Sequence, residues 1–120
     1  MSLIKRIQTD FSFQDDRGYL VQLVHRGYNQ VNVIKSNKGV IRGGHYHKKN
    51  DEVFYVISGE VHLRAKKDGV EEKCVFYQGE FFLVPKYTIH EFYYPEETLC
   101  VSMYDIGVEN TDGTKDIFTE

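Results

Sequence analysis

The sequence is poor in the features on which several classes of protein depend. Among its 120 residues are only two cysteines and two prolines. Cys74 and Cys100 lie far apart inside apolar segments, without the close spacing of a zinc site, so each is interpreted as a small buried hydrophobe. The 15 basic and 18 acidic residues form no block of one sign. The charge therefore gives no reason to expect a nucleic acid or a membrane surface as a partner.

Long hydrophobic runs are absent as well. No apolar stretch approaches the roughly 20 residues that cross a bilayer. The first residues, MSLIKRIQ, lack the apolar core of a signal peptide, and we therefore expect a cytoplasmic protein. A chain of 120 residues can bury one core but not two. We predict a single domain over 1–120, with its core at about 15–106 and a polar tail at 107–120.

What the sequence does contain is typical of β-structure. Tyrosine and phenylalanine are frequent, and glycines recur at intervals. Alternating apolar and polar residues between turn signals predict short strands at 3–8, 19–25, 30–35, 40–47, 52–58, 61–66, 70–77, 81–84, 90–94 and 99–106. A helix is considered only for the polar residues 110–120. This pattern favours an antiparallel sandwich or barrel, which can enclose one small ligand.

The rest of the chain is organised around the stretch 39–60, which reads GVIRGGHYHKKNDEVFYVISGE. Because alternate residues of a strand share a face, His45 and His47 stand side by side while Tyr46 points away. In the next predicted strand Glu52 and Phe54 share a face. If the two strands are neighbours in a closed sheet, Glu52 reaches the imidazoles.

These residues carry a family resemblance. The stretch resembles the first cupin motif, in which a glycine precedes His-x-His, a glutamate and a second glycine. The residues 79–90, GEFFLVPKYTIH, resemble the second cupin motif, with Gly79, Pro85 and His90 at the usual positions. Tyr87 stands where that motif usually has glycine, and Tyr94 where it often has asparagine. The resemblance implies an all-β fold, a small antiparallel double-stranded β-helix of the jelly-roll type.

Cupins also suggest a metal site. Many of them bind a divalent metal through three histidines and one glutamate, which by position are here His45, His47, His90 and Glu52. Imidazole and carboxylate ligands suit Zn, Fe, Mn or Ni. We therefore consider a single transition metal as the cofactor and expect no organic cofactor.

A narrower resemblance extends over roughly residues 15 to 105. The layout of segments 16–18 (DRG), 30–32 (QVN) and 39–46 (GVIRGGHY), with Pro85 and 89–92 (IHEF), resembles the dTDP-4-dehydrorhamnose 3,5-epimerases. The run 42–48 (RGGHYHK) is even more similar to the WxcM-like nucleotide-sugar 3,4-ketoisomerases. In the ketoisomerases the paired histidines are the acid and base, a role that falls here to His45 and His47. Arg42 matches the arginine of the same motif and could hold the substrate diphosphate. The relatives commonly pair through exchanged strands, so we expect a homodimer.

The chemistry agrees with this interpretation. A ketone acidifies the proton on its neighbouring carbon, so isomerisation through an enediol needs a base and an acid. An imidazole can serve as either near neutral pH. Tyrosines are further proton donors, and we take Tyr87 and Tyr104 as catalytic candidates and Tyr46 and Phe54 as candidates for substrate binding.

The function predicted is isomerisation or epimerisation of a nucleotide-linked 4-keto-6-deoxy sugar for cell-surface polysaccharide. The complete metal-ligand set departs from the resembling isomerases and epimerases, which work without metal. One alternative is therefore a metal-dependent, dioxygenase-like cupin acting on a small organic substrate. A metal could also polarise the ketone of a sugar, so the two chemistries are compatible. Another alternative is a cupin that binds a small ligand without turnover.

Overall fold

The computed structural model describes residues 2–120, which form twelve strands and no helix. The strands are β1 (Lys5–Arg6), β2 (Phe11–Asp15), β3 (Gly18–Gln22), β4 (Gln30–Ser36), β5 (Ile41–Tyr46), β6 (Glu52–Ser58), β7 (Glu60–Lys67), β8 (Val70–Tyr77), β9 (Phe81–Val84), β10 (Ile89–Tyr93), β11 (Thr98–Tyr104) and β12 (Phe118–Thr119). Among the described residues no helix could therefore span a membrane.

The strands form two five-stranded antiparallel sheets and one hairpin. The first sheet has the order β1-β9-β6-β11-β4 and the second has the order β12-β5-β10-β7-β8, while β2 pairs only with β3. Neighbours such as β6 and β11 are distant in sequence, as in a jelly roll. The predicted all-β cupin fold is confirmed.

The core lies between the sheets and is rich in aromatic rings. Phe82 stacks on Phe76 with ring centroids 3.9 Å apart and on Phe54 at 5.3 Å. Full burial of one such side chain contributes about 1.5–3 kcal/mol. The buried residues also include Ile4 and Val108 near the two ends of the chain. These apolar side chains fill part of the space between the two sheets, and the polar site lies in the remaining space.

The first sheet is apolar on its outer face too. Val53 and Met103 are buried there beneath residues of the N-terminal segment, among them Leu23 and Tyr28. Because both faces of β6 are covered, the strand is a nearly continuous apolar run. The N-terminal segment therefore belongs to the packed structure.

The structure corrects the expected elements at both ends of the chain. The first strand is limited to Lys5–Arg6, and the residues after it form the hairpin β2–β3, of which only the second strand was predicted. The helix considered for 110–120 is wrong. That segment forms a bridge between Glu109 and Lys115 and then β12, which pairs with β5 beside the histidines.

Candidate functional site

Strand pairing brings the two histidine motifs together. In the antiparallel pair of β5 and β10, His45 lies opposite His90, and the register shifts immediately afterwards between His90 and Glu91. A Cβ atom on Gly43 would lie 2.6 Å from the carbonyl oxygen of His90, closer than two such atoms can approach. Gly43, at φ +94°, is therefore required for this close approach of the two strands.

Three imidazoles and one carboxylate meet inside the barrel. The ring centroids of His45, His47 and His90 are 4.7–5.3 Å apart, and one nitrogen from each lies within 4.8 Å of the others. Glu52 Oε1 lies 3.1 Å from His47 Nε2 and 3.6 Å from His90 Nε2. Its other oxygen accepts a hydrogen bond of 2.6 Å from the hydroxyl of Ser102. The structure thus brings together all four residues of the expected ligand set.

Backbone carbonyls orient two of the imidazoles. His47 Nδ1 lies 2.6 Å from the carbonyl oxygen of Asp116, and His90 Nδ1 lies 3.0 Å from that of Thr88. Because a carbonyl oxygen can only accept, each Nδ1 carries a proton and each Nε2 faces the site. His90 is fully buried, and its Nε2 has no hydrogen-bond partner among the described residues.

The surroundings of His45 and His47 shift their pKa values in opposite directions. Burial, together with the neighbouring His90 and His47, lowers the pKa of His45 to about 4. Burial also acts to lower the pKa of His47, but its hydrogen bonds to Glu52 and to the Asp116 carbonyl prevail and raise it. Burial opposes ionisation of Glu52, yet the hydrogen bond from His47, the nearby His90 ring and the hydrogen bond from Ser102 lower its pKa to about 2. The site therefore combines a neutral imidazole, that of His45, with a hydrogen-bonded His47–Glu52 pair.

A cavity of about 250 Å³ opens onto these groups. His45, Glu52, His90 and Tyr104 form its polar part, while the remaining wall is largely apolar and consists of Ile34, Gly43, Phe54, Phe92 and Tyr94, with Arg42. The Arg42 side chain is held by Ser36 Oγ at 2.8 Å and by the Lys35 carbonyl at 3.1 Å. His47 is buried behind this lining. Such a pocket, apolar with a few convergent polar groups, is typical of a site for a small organic ligand.

Tyr104 is the tyrosine that the fold places beside the histidines. Its ring contacts His47 edge to face, with centroids 5.1 Å apart. Burial and the adjacent Glu52 carboxylate raise its pKa far above the usual value, so the hydroxyl stays protonated. Burial likewise raises the pKa of Tyr94 to about 12. Both phenols in the cavity are therefore hydrogen-bond donors at neutral pH.

Tyr46 and Tyr87, two of the predicted site residues, lie elsewhere. Their rings stack with centroids 6.5 Å apart and line a separate groove with Lys66 and Lys67. Tyr87 has a φ of +64°, the left-handed conformation that explains why the cupin motif usually has glycine here. Neither ring lines the cavity, so the structure does not bring these two tyrosines to the histidines.

Two polar residues that hold the side chains of the site, Ser102 and Asp116, were missed by the sequence analysis. Ser102 is a small polar residue at an inward position of the apolar strand β11, an interruption of the pattern that could have revealed it. Asp116 lies in the polar tail, where its buried carboxylate has no sequence signal, because a polar residue in a polar segment is unremarkable.

Comparison with known proteins agrees with this fold. The structure resembles that of a mutant 3,4-ketoisomerase QdtA from Thermoanaerobacterium thermosaccharolyticum in complex with TDP-4-keto-6-deoxyglucose, with a TM-score of 0.81 and 18% identity over 100% of this chain and 89% of that one. It also resembles dTDP-4-dehydrorhamnose 3,5-epimerase from Sulfolobus tokodaii, with a TM-score of 0.69 and 19% identity over 86% and 75% of the two chains. At these identities the likeness is one of fold, and it matches the resemblance inferred from the motifs.

Sequence comparison identifies the family. The chain is 31% identical over 105 residues to the spore coat polysaccharide biosynthesis protein SpsL of Bacillus subtilis, a match that covers 75% of this chain and 70% of that protein. The model of the polysaccharide biosynthesis C-terminal domain matches residues 13–92, the segment that contains both histidine motifs. This chain therefore belongs to the polysaccharide biosynthesis C-terminal domain family.

Proposed function

We propose that the protein isomerises or epimerises a nucleotide-linked 4-keto-6-deoxy sugar, by proton transfer through an enediol, in the biosynthesis of cell-surface polysaccharide. The observation that carries the proposal is the cavity in which His45, Glu52 and Tyr104 converge, with Arg42 on its lining. The family and the relative in spore coat polysaccharide biosynthesis support the pathway class. A ketoisomerase of the same fold in complex with TDP-4-keto-6-deoxyglucose supports the substrate class.

His45 is the base of this reaction. It faces the cavity, and its depressed pKa keeps the imidazole neutral and able to accept a proton. It removes the proton from the carbon beside the ketone while the ketone oxygen gains one, which gives the enediol. The second hydroxyl of the enediol then loses its proton, and the carbon of the former ketone gains one. Atoms and electrons balance without any redox partner.

Tyr104 and the His47–Glu52 pair stabilise the negative charge that develops on the enediolate oxygen. The protonated hydroxyl of Tyr104 donates to the oxygen on which negative charge develops. A lone carboxylate in the lining would repel that charge, but Glu52 is paired with His47 at 3.1 Å. Although burial acts to lower it, the pKa of His47 is raised by the hydrogen bond to Glu52, which favours a protonated ring that offsets the carboxylate charge beside an enediolate.

Arg42 is suited to the diphosphate. The cavity volume of about 250 Å³ suits a sugar ring, so the nucleotide must extend outwards from it. Arg42 is exposed, and its two hydrogen bonds, to Ser36 and Lys35, use two of the five N–H donors of a guanidinium. The remaining donors can bind phosphate oxygens.

Solvent deuterium tests the proposal. The protein is incubated in D2O with dTDP-4-keto-6-deoxyglucose, and ring deuterium is measured by mass spectrometry. We expect incorporation by the wild type and by His25→Asn, a control at an exposed histidine outside the cavity. We expect none above background with His45→Asn. A wild-type protein that places no deuterium in the ring would refute the function.

A metal-dependent activity is the second candidate, and the unpartnered Nε2 of buried His90 favours it. We infer that His45, His47, Glu52 and His90 would hold one divalent transition metal ion, because three ring nitrogens lie within 4.8 Å of one another and Glu52 faces two of them. Bound there, the ion would polarise a carbonyl of the substrate. The Asp116 and Thr88 carbonyls keep the Nδ1 protons outside, as is usual for histidine ligands.

Elemental analysis of tag-free protein purified without chelator tests the metal. About one metal per chain in the wild type and in the control His62→Ala, with loss in His90→Ala, would support it. Metal-free wild-type protein that is folded and active would exclude it. Oxygen uptake by iron-loaded protein would distinguish an oxidising cupin from a sugar isomerase.

We also infer a homodimer. The outer face of the first sheet carries a row of apolar side chains across three strands, since Val33 pairs with Val101 and Val101 pairs with Tyr55. Val33 is 71% exposed at the free edge of this sheet. The exposed hairpin β2–β3 adds further apolar side chains, among them Phe13 and Leu20. A two-stranded hairpin is marginal alone, and a second copy of the chain would cover both features.

A further inference from the structure

A buried carboxylate from the C-terminal tail holds the loop that follows the histidine pair. Asp116 is only 1% exposed. Its Oδ1 accepts a hydrogen bond from the backbone N–H of Lys48 at 2.9 Å, and its Oδ2 accepts those of Lys49 at 2.9 Å and Asn50 at 3.1 Å. The Asn50 side chain donates to the same Oδ2 at 2.8 Å. Every one of these donors belongs to the loop between His47 and Glu52.

Asn50 connects the same loop to the start of the tail. Its side chain is fully buried, and its Oδ1 accepts hydrogen bonds from the backbone N–H groups of Ile106 at 3.0 Å and Gly107 at 2.8 Å. Its Nδ2 donates to the Gly107 carbonyl at 2.9 Å. All polar atoms of the Asn50 side chain are therefore paired, and the loop is fixed to both ends of the segment 107–116.

The backbone of Asp116 meets the site directly. Its carbonyl accepts the Nδ1 proton of His47 at 2.6 Å, while its side chain binds the three residues that follow His47. One residue thus fixes both the imidazole and the backbone that carries it. Burying a carboxylate is costly unless it is hydrogen-bonded, and here all its bonds are made to this loop.

We propose that Asp116 is a positioning residue, through which the C-terminal tail sets the tautomer and the orientation of the His47 ring toward Glu52. Asp116 lines no part of the cavity and therefore acts only through His47. Asp116 also lies outside residues 13–92, which match the family model. The contact between the tail and His47 is therefore not part of the segment that the family model describes. The kinetic consequence rests on the proposed isomerase function, whereas the state of the His47 ring does not.

The test compares Asp116→Asn with Asp112→Asn, the same substitution at an exposed turn of the same tail. An asparagine at 116 keeps the shape but presents its own N–H groups to N–H donors, so residue 116 and the loop move apart. Nitrogen-15 spectra of histidine-labelled protein report the Nδ1 proton of His47, which is assigned with His47→Asn. We expect a slowly exchanging Nδ1 proton in the wild type and in Asp112→Asn, and its loss in Asp116→Asn.

Kinetics supply the second readout. Hydrogen-bond partners that orient metal-ligating histidines are worth about 10–100-fold in metal affinity or activity, and by analogy we expect kcat to fall by about that factor in Asp116→Asn. KM should change by less than about threefold, because Asp116 does not line the cavity. Asp112→Asn should keep both constants.

Two outcomes would overturn the proposal. One is a folded Asp116→Asn protein that keeps the Nδ1 proton signal of His47. The other is a wild-type spectrum in which neutral His47 carries its proton on Nε2. This second measurement uses the wild type alone and does not depend on a folded variant. If the wild type does not turn over the sugar, the isomerase function fails, and the spectra alone still decide whether Asp116 sets the His47 ring.

Discussion

Tyr104 and Tyr87 offer the same hydroxyl group in two different surroundings. Tyr104 is buried in the cavity lining and contacts His47, whereas Tyr87 is 54% exposed in the outer groove. Both were candidates in the sequence because a tyrosine can donate a proton. Only the direction of each side chain separates them, and for Tyr87 that direction follows from a left-handed backbone that the sequence does not reveal.

Removal of each hydroxyl tests this difference. In Tyr104→Phe the donor to the enediolate oxygen is lost, and we expect the rate of isomerisation to fall by about 10²-fold or more, the range for a positioned acid. In Tyr87→Phe, the matched control, we expect less than about a twofold change. Initial rates with a dTDP-4-keto-6-deoxy sugar measure both. Equal losses in the two variants would contradict the assignment of Tyr104.

At the scale of elements, strands in which buried and exposed side chains alternate could be predicted from the sequence. Strands and residues whose place depends on contacts with distant parts of the chain could not. The strand at 52–58, with Glu52 on its inward face, could be placed because its side chains alternate between two packed faces. The pair His45 and His47 followed from the same period of two. The strand β2 could not be placed in this way, since almost all its side chains are exposed and no buried face marks it. Asp116 is buried only because the tail returns to the loop after His47.

The attachment of β1 to the barrel gives a prediction about pH. Glu72 on β8 accepts hydrogen bonds from the backbone N–H groups of Leu3 at 3.0 Å and Ile4 at 3.1 Å. Burial alone would raise the pKa of Glu72, but these hydrogen bonds prevail and lower it below the ordinary value of 4.5. The folded state therefore holds the Glu72 proton less tightly than the unfolded state. Its stabilising contribution is fully present above pH 4.5 and is lost as the pH falls through the lower folded value.

We expect Glu72→Gln to lower the free energy of unfolding by about 1 kcal/mol at neutral pH. The difference from the wild type should shrink as the pH is lowered below 4.5, because protonated Glu72 resembles glutamine. Glu71→Gln is the matched control, since Glu71 makes only an exposed ion pair with Arg64 at 3.5 Å. Urea unfolding at a series of pH values measures all three proteins. A Glu72→Gln effect that is independent of pH would refute the contribution of this carboxylate.

At the scale of the whole molecule, strands β2, β3 and β4 together carry six exposed large apolar side chains. The outer face of the first sheet is covered near its centre by the N-terminal segment, but its edge strand β4 leaves Val31 and Val33 60% and 71% exposed. An exposed edge with apolar side chains invites pairing with another chain. The outer face of the second sheet differs, because charged residues such as Arg64, Lys73 and Glu91 line its groove. A second copy of the chain is therefore expected on the first sheet only.

Replacement of Val33 by lysine should separate the two copies. The side chain is exposed within one chain, so Val33→Lys should leave the fold intact, whereas a buried lysine without a partner in the interface costs several kcal/mol. We expect the wild type to sediment as a dimer and Val33→Lys as a monomer. Val70→Lys is the control, because Val70 is 52% exposed on β8 of the other sheet and should leave the dimer intact. A monomeric wild type, or a Val33→Lys protein that stays dimeric, would show that this face is not the one that a second copy covers.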